Sequence, residues 1–532
     1  MLQWQYLQRF NNSPTKSYFC RKNSNPLSGI KKLAGQTLWY GVPTIASRFL
    51  GYLLNLSLPF VFGQPGVTAD LTQVYAIVPF LNVLFTYGLE TAYFRFSQTE
   101  DRKHLYSTLS FSIFFTTIIF TIGLWMIRGN IADLAGLDVH HSQYITWICW
   151  IIFFDTLATL PFARLRQEGR PRKYAFVRVA GIAMTIFVVI LFLGLIPGYL
   201  KTHPDSFIKN YYDPKDRISY YLFANVCGSI FTFLLLWKEF KDLRLEFDMK
   251  LWKRVMNYSY PLIIVGLGGM INDMLSRLVY RHVVDVPRAE ADKQLGVFGN
   301  LYRLAVMVTV MIQAFRMAAE PFFFNQSKQE TAQKTYARVM KFFVIACCFM
   351  FLFIGLYRDE IQWLFTRKSK EWGEGMYIVP ILAMGNIFLG IYYNLSIWYK
   401  LTNKNMYGAA ITFLGAVITI IINIILIPKL HYLGAALATF SCYLFMMITS
   451  YVYGQKFYPV PYAKKKLLAY LTLVTLIYLA HRGLLMIDHN RWFNIGAATV
   501  LLGLFTLFIL KIERKEFKRL PVIGKWLTPK MV

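Results

Sequence analysis

The chain has 532 residues, 56% of them hydrophobic and 16% charged, against about a quarter charged in an ordinary soluble domain. That composition excludes a soluble enzyme and leaves little chain beyond membrane helices. Lysine and arginine outnumber aspartate and glutamate 57 to 28, a formal charge of +29, which in a soluble protein points to nucleic acid but in a membrane chain is first a matter of topology.

Residues 1–33 are basic and polar, with no apolar core before Ala34, so a cleavable signal peptide is not expected. Apolar runs follow near 34–62, 69–94, 105–127, 143–163, 174–200, 218–237, 255–283, 296–324, 339–357, 375–399, 406–428, 432–454, 467–480 and 493–510. Each is read as a helix, because in hydrocarbon every backbone polar group needs an internal partner and the runs are too long for barrel strands. Placing the amino terminus inside puts most lysines and arginines in cytoplasmic segments, above all 164–173, 238–254 and the tail from Lys511. These clusters are expected to set topology and touch anionic lipid headgroups, not nucleic acid. Both termini are then cytoplasmic, and the outside loops are too short for an extracytoplasmic catalytic domain.

The second half repeats the first. Tyr40-Gly-Val-Pro43 aligns with Tyr258-Ser-Tyr-Pro261, then Gly51 with Gly269; further on, Lys173 aligns with Lys404 and Leu195-Ile-Pro197 with Leu426-Ile-Pro428. Six spans per repeat is an even number, so the expected fold is all-α and polytopic, with two six-helix lobes related by a pseudo-two-fold axis along the membrane normal. The divisions are a basic tail (1–33), a first lobe (34–237), a cytoplasmic linker (238–254), a second lobe (255–454), two extra spans (455–510) and a basic tail (511–532). The extra spans are expected at the periphery, where they shape a lipid-facing groove.

A charge at mid-bilayer costs about 2.5–3.5 kcal/mol on insertion scales, so ionisable residues inside the runs are functional candidates. They are Arg48, Arg178, Arg277, Arg303 and Arg316, with Glu90, Asp155, Asp273 and Glu320. Depth along the runs pairs Arg48 with Asp155 and Asp273 with Arg303, while Asp273–Arg277 and Arg316–Glu320 share the i,i+4 spacing. Each pair also reads as a salt bridge that merely fixes helix packing. Arginine is always charged, planar and able to donate in pairs, so a surplus of buried arginine points to an anionic ligand such as a phosphate.

Other chemistries find little material. The six cysteines include no CxxC, and five lie inside apolar runs; no metal or redox cofactor is expected. The eight histidines fall in loops or near span ends, and Gly266-Leu-Gly-Gly269 follows no strand, so neither a hydrolase site nor a nucleotide loop is indicated.

Four stretches carry a family resemblance: Thr37-Leu-Trp-Tyr-Gly-Val-Pro43 with Ser47-Arg48-Phe-Leu-Gly51, Gly88-Leu-Glu-Thr-Ala-Tyr-Phe-Arg95, Leu165-Arg-Gln-Glu-Gly-Arg-Pro-Arg-Lys-Tyr174, and Gly299-Asn-Leu-Tyr302 with Ala319-Glu-Pro-Phe322. From about Leu33 onward the chain resembles the polysaccharide, or O-antigen type, flippases of the multidrug/oligosaccharidyl-lipid/polysaccharide exporter superfamily. The Ser47-Arg48-x-Leu-Gly51 pattern is also similar to lipid II flippases, in which the arginine lies in the substrate cavity. Those follow it with an Arg-Asp pair where this chain has Leu54-Asn55, and relatives often show Asp-Arg where it has Ser276-Arg277.

The resemblance implies a non-enzymatic flippase of the bacterial cytoplasmic membrane that moves a polyprenyl-pyrophosphate-linked oligosaccharide outward by alternating access. Arg48, Arg277 and Arg303 would hold the pyrophosphate, with Arg178 and Arg316 drawing it in from the inner side. Asp155, Glu90 and Asp273 are candidates for carrying a proton or sodium ion, or for salt bridging. Pro43, Gly51, Pro261 and Gly269 are candidate hinges. Membrane lipids, a polysaccharide polymerase and assembly proteins are the implied partners. The alternatives are a multidrug-type antiporter of small cations, a lipid II flippase and a membrane glycosyltransferase or polymerase; the last would need an acidic or histidine motif in a large outside loop.

Overall fold

The computed structural model describes residues 50–51, 54, 58–97, 99–137, 141–214, 216–241, 246–327, 329–366, 370–402, 404–487 and 490–517. Among these, thirteen helices are long and apolar enough to cross a membrane, and no strand occurs. In chain order they are α1 (Gly66–Phe96), α2 (Arg102–Met126), α3 (Gln143–Gln167), α4 (Pro171–Thr202), α5 (Arg217–Leu235), α6 (Met249–Val283), α7 (Arg288–Gln326), α8 (Ala332–Leu356), α9 (Lys370–Leu401), α10 (Asn405–Leu430), α11 (Tyr432–Phe457), α12 (Lys464–Leu484) and α13 (Arg491–Ile512). They fall on the second to fourteenth apolar runs. Of the first run, Leu50, Gly51, Leu54 and the short helix Leu58–Phe62 are described; Pro43 and Arg48 lie outside the described residues.

The helix starts follow from the residues that precede them. The Asp101, Asp216, Asp248 and Asn490 side chains accept backbone N–H bonds at the first turns of α2, α5, α6 and α13, and Pro171 opens α4 where no intrahelical N–H is needed. At Asp248 the Leu251 N–H and the adjacent His104 ring hold the carboxyl below the usual carboxylate range. α1 is broken once, at Tyr87 and Gly88, both with positive φ (31° and 73°). Gly88 occupies the break because an added Cβ would lie 3.1 Å from Leu262 Cβ of α6.

The packing repeats with the sequence. α4 and α3 both lie along α5 in the first bundle, as α10 and α9 lie along α11 in the second. At the α4–α5 crossing an added Cβ on Gly181 would sit 2.2 Å from Thr232 Oγ1, and one on Gly228 2.1 Å from Thr185 Oγ1. Both threonines donate to their own helix, to the Gly181 and Gly228 carbonyls at 3.3 and 2.8 Å. The crossing is thus close without leaving a polar atom open to lipid.

α9 is the centre of the second bundle, with 83% of its apolar window buried, whereas α12 and α13 have 17%. α12 and α13 lie on α8, held at one end by Glu513, which receives Lys341 Nζ at 2.5 Å, Lys466 Nζ at 2.8 Å and the Tyr470 hydroxyl at 2.7 Å. At the other end Arg491 Nε pairs with Glu360 Oε2 at 2.7 Å. The two extra helices are peripheral, as expected.

The basic 164–173 segment is more than a headgroup contact. Arg164 pairs with Glu168 at 2.6 Å, while Arg170 and Lys173 converge on Glu239 at 3.0 and 2.5 Å. Glu239 is 3% exposed, so this knot ties the ends of α3, α4 and α5 together. Burial raises the Glu168 carboxyl, but the bonds from Arg164 and Arg170 outweigh it and keep the group below the usual range.

The bundles meet along α1, α6 and α7. At the end where the 238–254 linker crosses, called here the linker end, Trp252 Nε1 donates to Ser112 Oγ at 2.8 Å and Arg254 pairs with Glu100 at 2.9 Å. At the far end α7 closes on the start of α1 through glycines: a Cβ on Gly296 would lie 2.0 Å from the Pro65 carbonyl oxygen, and one on Gly299 2.5 Å from Thr72 Oγ1.

Candidate substrate cavity

Between the bundles lies a cavity of about 1340 Å³, walled by α6, α7, α9, α10 and α11 on one side and by α1 on the other. Its polar lining follows helical stripes. On α7 the stripe runs Gly299, Tyr302, Arg303, Val306, Thr309, Gln313 and Arg316; on α9 it runs Asn386, Leu389, Tyr393, Ser396 and Lys400. Steps of three and four put each set on one face.

At the far end of the cavity Asp273 of α6 accepts a hydrogen bond from the Tyr302 hydroxyl, and Arg277 Nη2 lies 3.8 Å from Asp273 Oδ1 while donating to the Asp273 carbonyl at 2.8 Å. The Arg277 guanidinium stacks 4.2 Å above the Tyr302 ring, so two of its neighbours already offset part of its burial. Arg303 is different: its Nη1 is buried with no hydrogen-bond partner among the described residues, and the neighbouring Tyr75 hydroxyl and Thr72 Oγ1 are unpartnered in the same way. A buried donor left without a partner is costly, so Arg303 of α7, with Thr72 and Tyr75 of α1 in the same lining, is a candidate to receive an anion in the cavity.

Toward the linker end, the Arg316 guanidinium stacks 4.7 Å from the Tyr393 ring, with Lys400 alongside in the lining. Between the cationic ends stand Asn386, Tyr392, Tyr399 and Asn272, neutral and able to hydrogen-bond. Tyr392 shares bonds with Thr412 at 3.2 Å and Tyr399 at 3.4 Å, while Asn272 donates to the Thr412 carbonyl at 3.2 Å and leaves its own Oδ1 unpartnered.

The structure therefore brings Arg277, Arg303, Arg316, Asp273, Pro261 and Gly269 to one cavity. The expected Asp273–Arg303 pair is not made: Asp273 faces Arg277 and Tyr302, which lie nearer along α6 and α7. Arg178 is not part of the lining and packs 4.0 Å over the Phe162 ring of α3. Asp155 lies with it in the first bundle, on α3, and is not part of the lining. Glu90 pairs with Arg166 at the linker end of α1, which makes it a salt bridge. Arg48 and its pairing with Asp155 lie outside the described residues, as does the Glu320 side chain. α6 runs unbroken through Pro261 and Gly269, and Gly51 has open space around an added Cβ; the bend that exists is at Tyr87 and Gly88. The sequence does not single out Lys400, Tyr75 or Asn272, although the α9 stripe ending in Lys400 is legible there as polar residues at helical spacing.

Two helical bundles with a cavity between them, and two peripheral helices, define a multi-pass membrane protein. The chain belongs to the polysaccharide biosynthesis protein family, whose model matches residues 33–327. Among relatives it is 23% identical over 369 residues to the capsular polysaccharide biosynthesis protein CapF of Staphylococcus aureus, covering 67% of this chain and 83% of that protein. It is 23% identical over 437 residues to an uncharacterised membrane protein of Methanocaldococcus jannaschii, covering 76% and 81%. Its fold is similar to that of the lipid II flippase MurJ in an inward closed conformation, with a TM-score of 0.68 at 14% identity over 89% of this chain and 98% of that one. The multidrug transporter DinF-BH matches with a TM-score of 0.60 at 15% identity, over 80% and 96%.

Proposed function

We propose that the protein flips a polyprenyl-pyrophosphate-linked oligosaccharide from the cytoplasmic to the outer leaflet by alternating access. The observation that carries this reading is the cavity itself: about 1340 Å³, larger than the ordinary pocket for a small ligand, with Arg277, Arg303 and Arg316 in its lining and neutral amides and tyrosines among them. A pyrophosphate and its sugars cannot enter hydrocarbon unaided, so the protein must supply a wet path for the head while the polyprenyl tail stays in lipid. Arg277 and Arg303 hold the pyrophosphate, with Arg48 of the first span as a further candidate, and Arg316 and Lys400 receive it at the mouth. The amides and tyrosines between them meet the sugars. The excess of lysine and arginine in the linker-end loops supports placing that end in the cytoplasm.

Asp273 is the remaining candidate for an ion-coupling carboxylate, because it alone of the three lines the cavity. Proton or sodium exchange there predicts transport that depends on pH or on sodium, and pH- and sodium-independent flux in sealed vesicles would end that idea. With α12 and α13 at the periphery, the described lining comes from α1, α6, α7, α9, α10 and α11, an arrangement that also suits a small-molecule antiporter. The cationic lining argues against an organic cation as cargo.

The test is translocation of a fluorescent pyrophosphate-linked oligosaccharide in proteoliposomes, comparing the parent with Arg48→Ala and Arg277→Ala at equal folded amount. Flux in the parent and at least a tenfold loss in either variant supports the reading. Movement of a cationic dye with no lipid flux replaces it with the antiporter reading, and flux of lipid II alone replaces it with the lipid II reading.

A further inference from the structure

One arginine outside the cavity is more completely enclosed than Arg277 within it. The Arg281 side chain is 1% exposed. It lies on α6 one turn beyond Arg277, and i,i+4 residues share a helix face. Its Nη2 lies 2.6 Å from Asp70 Oδ1, its Nη1 donates to the Gly136 carbonyl at 2.9 Å, and its Nε lies 2.8 Å from Asp292 Oδ1. Asp70 and Gly136 belong to the first bundle; Asp292 belongs to α7 of the second. His141 Nδ1 lies 2.7 Å from Asp70 Oδ2, and Arg288 reaches both Asp292 and the Gly136 carbonyl. This cluster lies beside the Gly296–Pro65 and Gly299–Thr72 seam that closes the cavity at the far end.

We propose that Arg281 is the latch of the far-end gate and, once the bundles part, a further anion-binding residue on the exit path, exchanging Asp70 for the phosphate of the departing substrate. The role of the released residue rests on the flippase reading given above; the latch does not. When the first bundle moves away, Asp70 and Gly136 leave with it and both terminal nitrogens of Arg281 lose their acceptors. Asp292 stays, shared with Arg288. A guanidinium cannot remain buried without partners, so opening requires either water or an incoming anion, and the nearest anion site, Arg277, is one helical turn away. The pyrophosphate then moves along α6 by a single turn as the gate opens, and its departure lets Asp70 return.

The test places Thr72→Cys at the cavity side of the seam in sealed proteoliposomes and measures its labelling by a membrane-impermeant maleimide added at the far end. Asp70→Asn and Arg281→Gln each raise the labelling rate several-fold, and the swap Asp70→Arg with Arg281→Asp returns it toward the parent rate. Unchanged labelling in both single variants overturns the latch; the swap, and elution of each protein as a monodisperse species, guards against misfolding. Inorganic pyrophosphate added at the far end then slows labelling of Asp70→Asn, and the protection is lost in Asp70→Asn with Arg281→Gln. Equal protection in the two overturns the anion-binding role. Neither readout needs lipid translocation, so a parent that flips no lipid refutes the function and leaves these outcomes to decide the latch.

Discussion

Asp273 and Arg303 face the same cavity and meet the cost of burial in opposite ways. Asp273 is supplied by its own surroundings, with the Tyr302 hydroxyl and Arg277 against it, whereas Arg303 keeps a buried nitrogen open. A side chain left unsatisfied in the resting protein is one that a ligand can satisfy, and Arg303 is therefore the more informative target. Arg303→Ala is expected to lower lipid translocation at least tenfold, and Arg303→Lys to recover only part of it, because an ammonium is a point charge without the paired donors that fit a phosphate. Tyr302→Phe removes the donor to Asp273 and is expected to cost about 2 kcal/mol, read as a lower unfolding midpoint in detergent.

At the scale of elements, the peripheral helices are tied at one end by a single carboxylate. Glu513 is 2% exposed; burial raises its carboxyl, but the bonds from Lys341, Lys466 and Tyr470 outweigh that and hold it below the usual glutamate range. A carboxyl whose folded pKa is depressed stabilises fully above its unfolded value, about 4.3, and loses that contribution as pH falls through the folded value. The unfolding midpoint is therefore expected to drop below about pH 4 in the parent and to show a weaker acid dependence in Glu513→Gln. At neutral pH that variant is expected to be less stable by about 3 kcal/mol, because Lys341 stays buried with a weakened partner. The α4–α5 crossing makes a second case: Gly181→Val drives a side chain into Thr232 and is expected to cost about 1–3 kcal/mol, measured in the same way.

For the whole molecule, the closed end is the one sealed by glycines and by Arg281, and the cavity extends from it toward the linker end. A wedge in the seam should reverse that balance. Gly296→Leu places a branched side chain where the Pro65 carbonyl now lies. It is expected to raise far-end labelling of Thr72→Cys and lower linker-end labelling of Asn405→Cys, since rocking bundles open one side as they close the other. Unchanged labelling at both sites would show that the seam is not the gate.

The sequence by itself determined the class of fold, because hydrocarbon admits few ways to satisfy a backbone and an apolar run of the right length must be a helix. Thirteen runs reappear as α1–α13 at nearly the expected bounds. It also identified the charges near the middle of the runs, since their expense marks them, but not Arg281 or Lys341 near the run ends. What it did not decide was their partners. Arg178, Arg277 and Arg303 look alike as buried cations in a list of residues, yet one lies against Phe162, one against Tyr302 and Asp273, and one keeps a buried nitrogen without a partner. Arg281 stands near the end of an apolar run, where nothing in the sequence sets it apart, and it is enclosed only because α1 and α7 close over it. Depth along a helix is written in the chain, but which face meets which neighbour depends on how helices rotate and cross, and only the tertiary structure decided that.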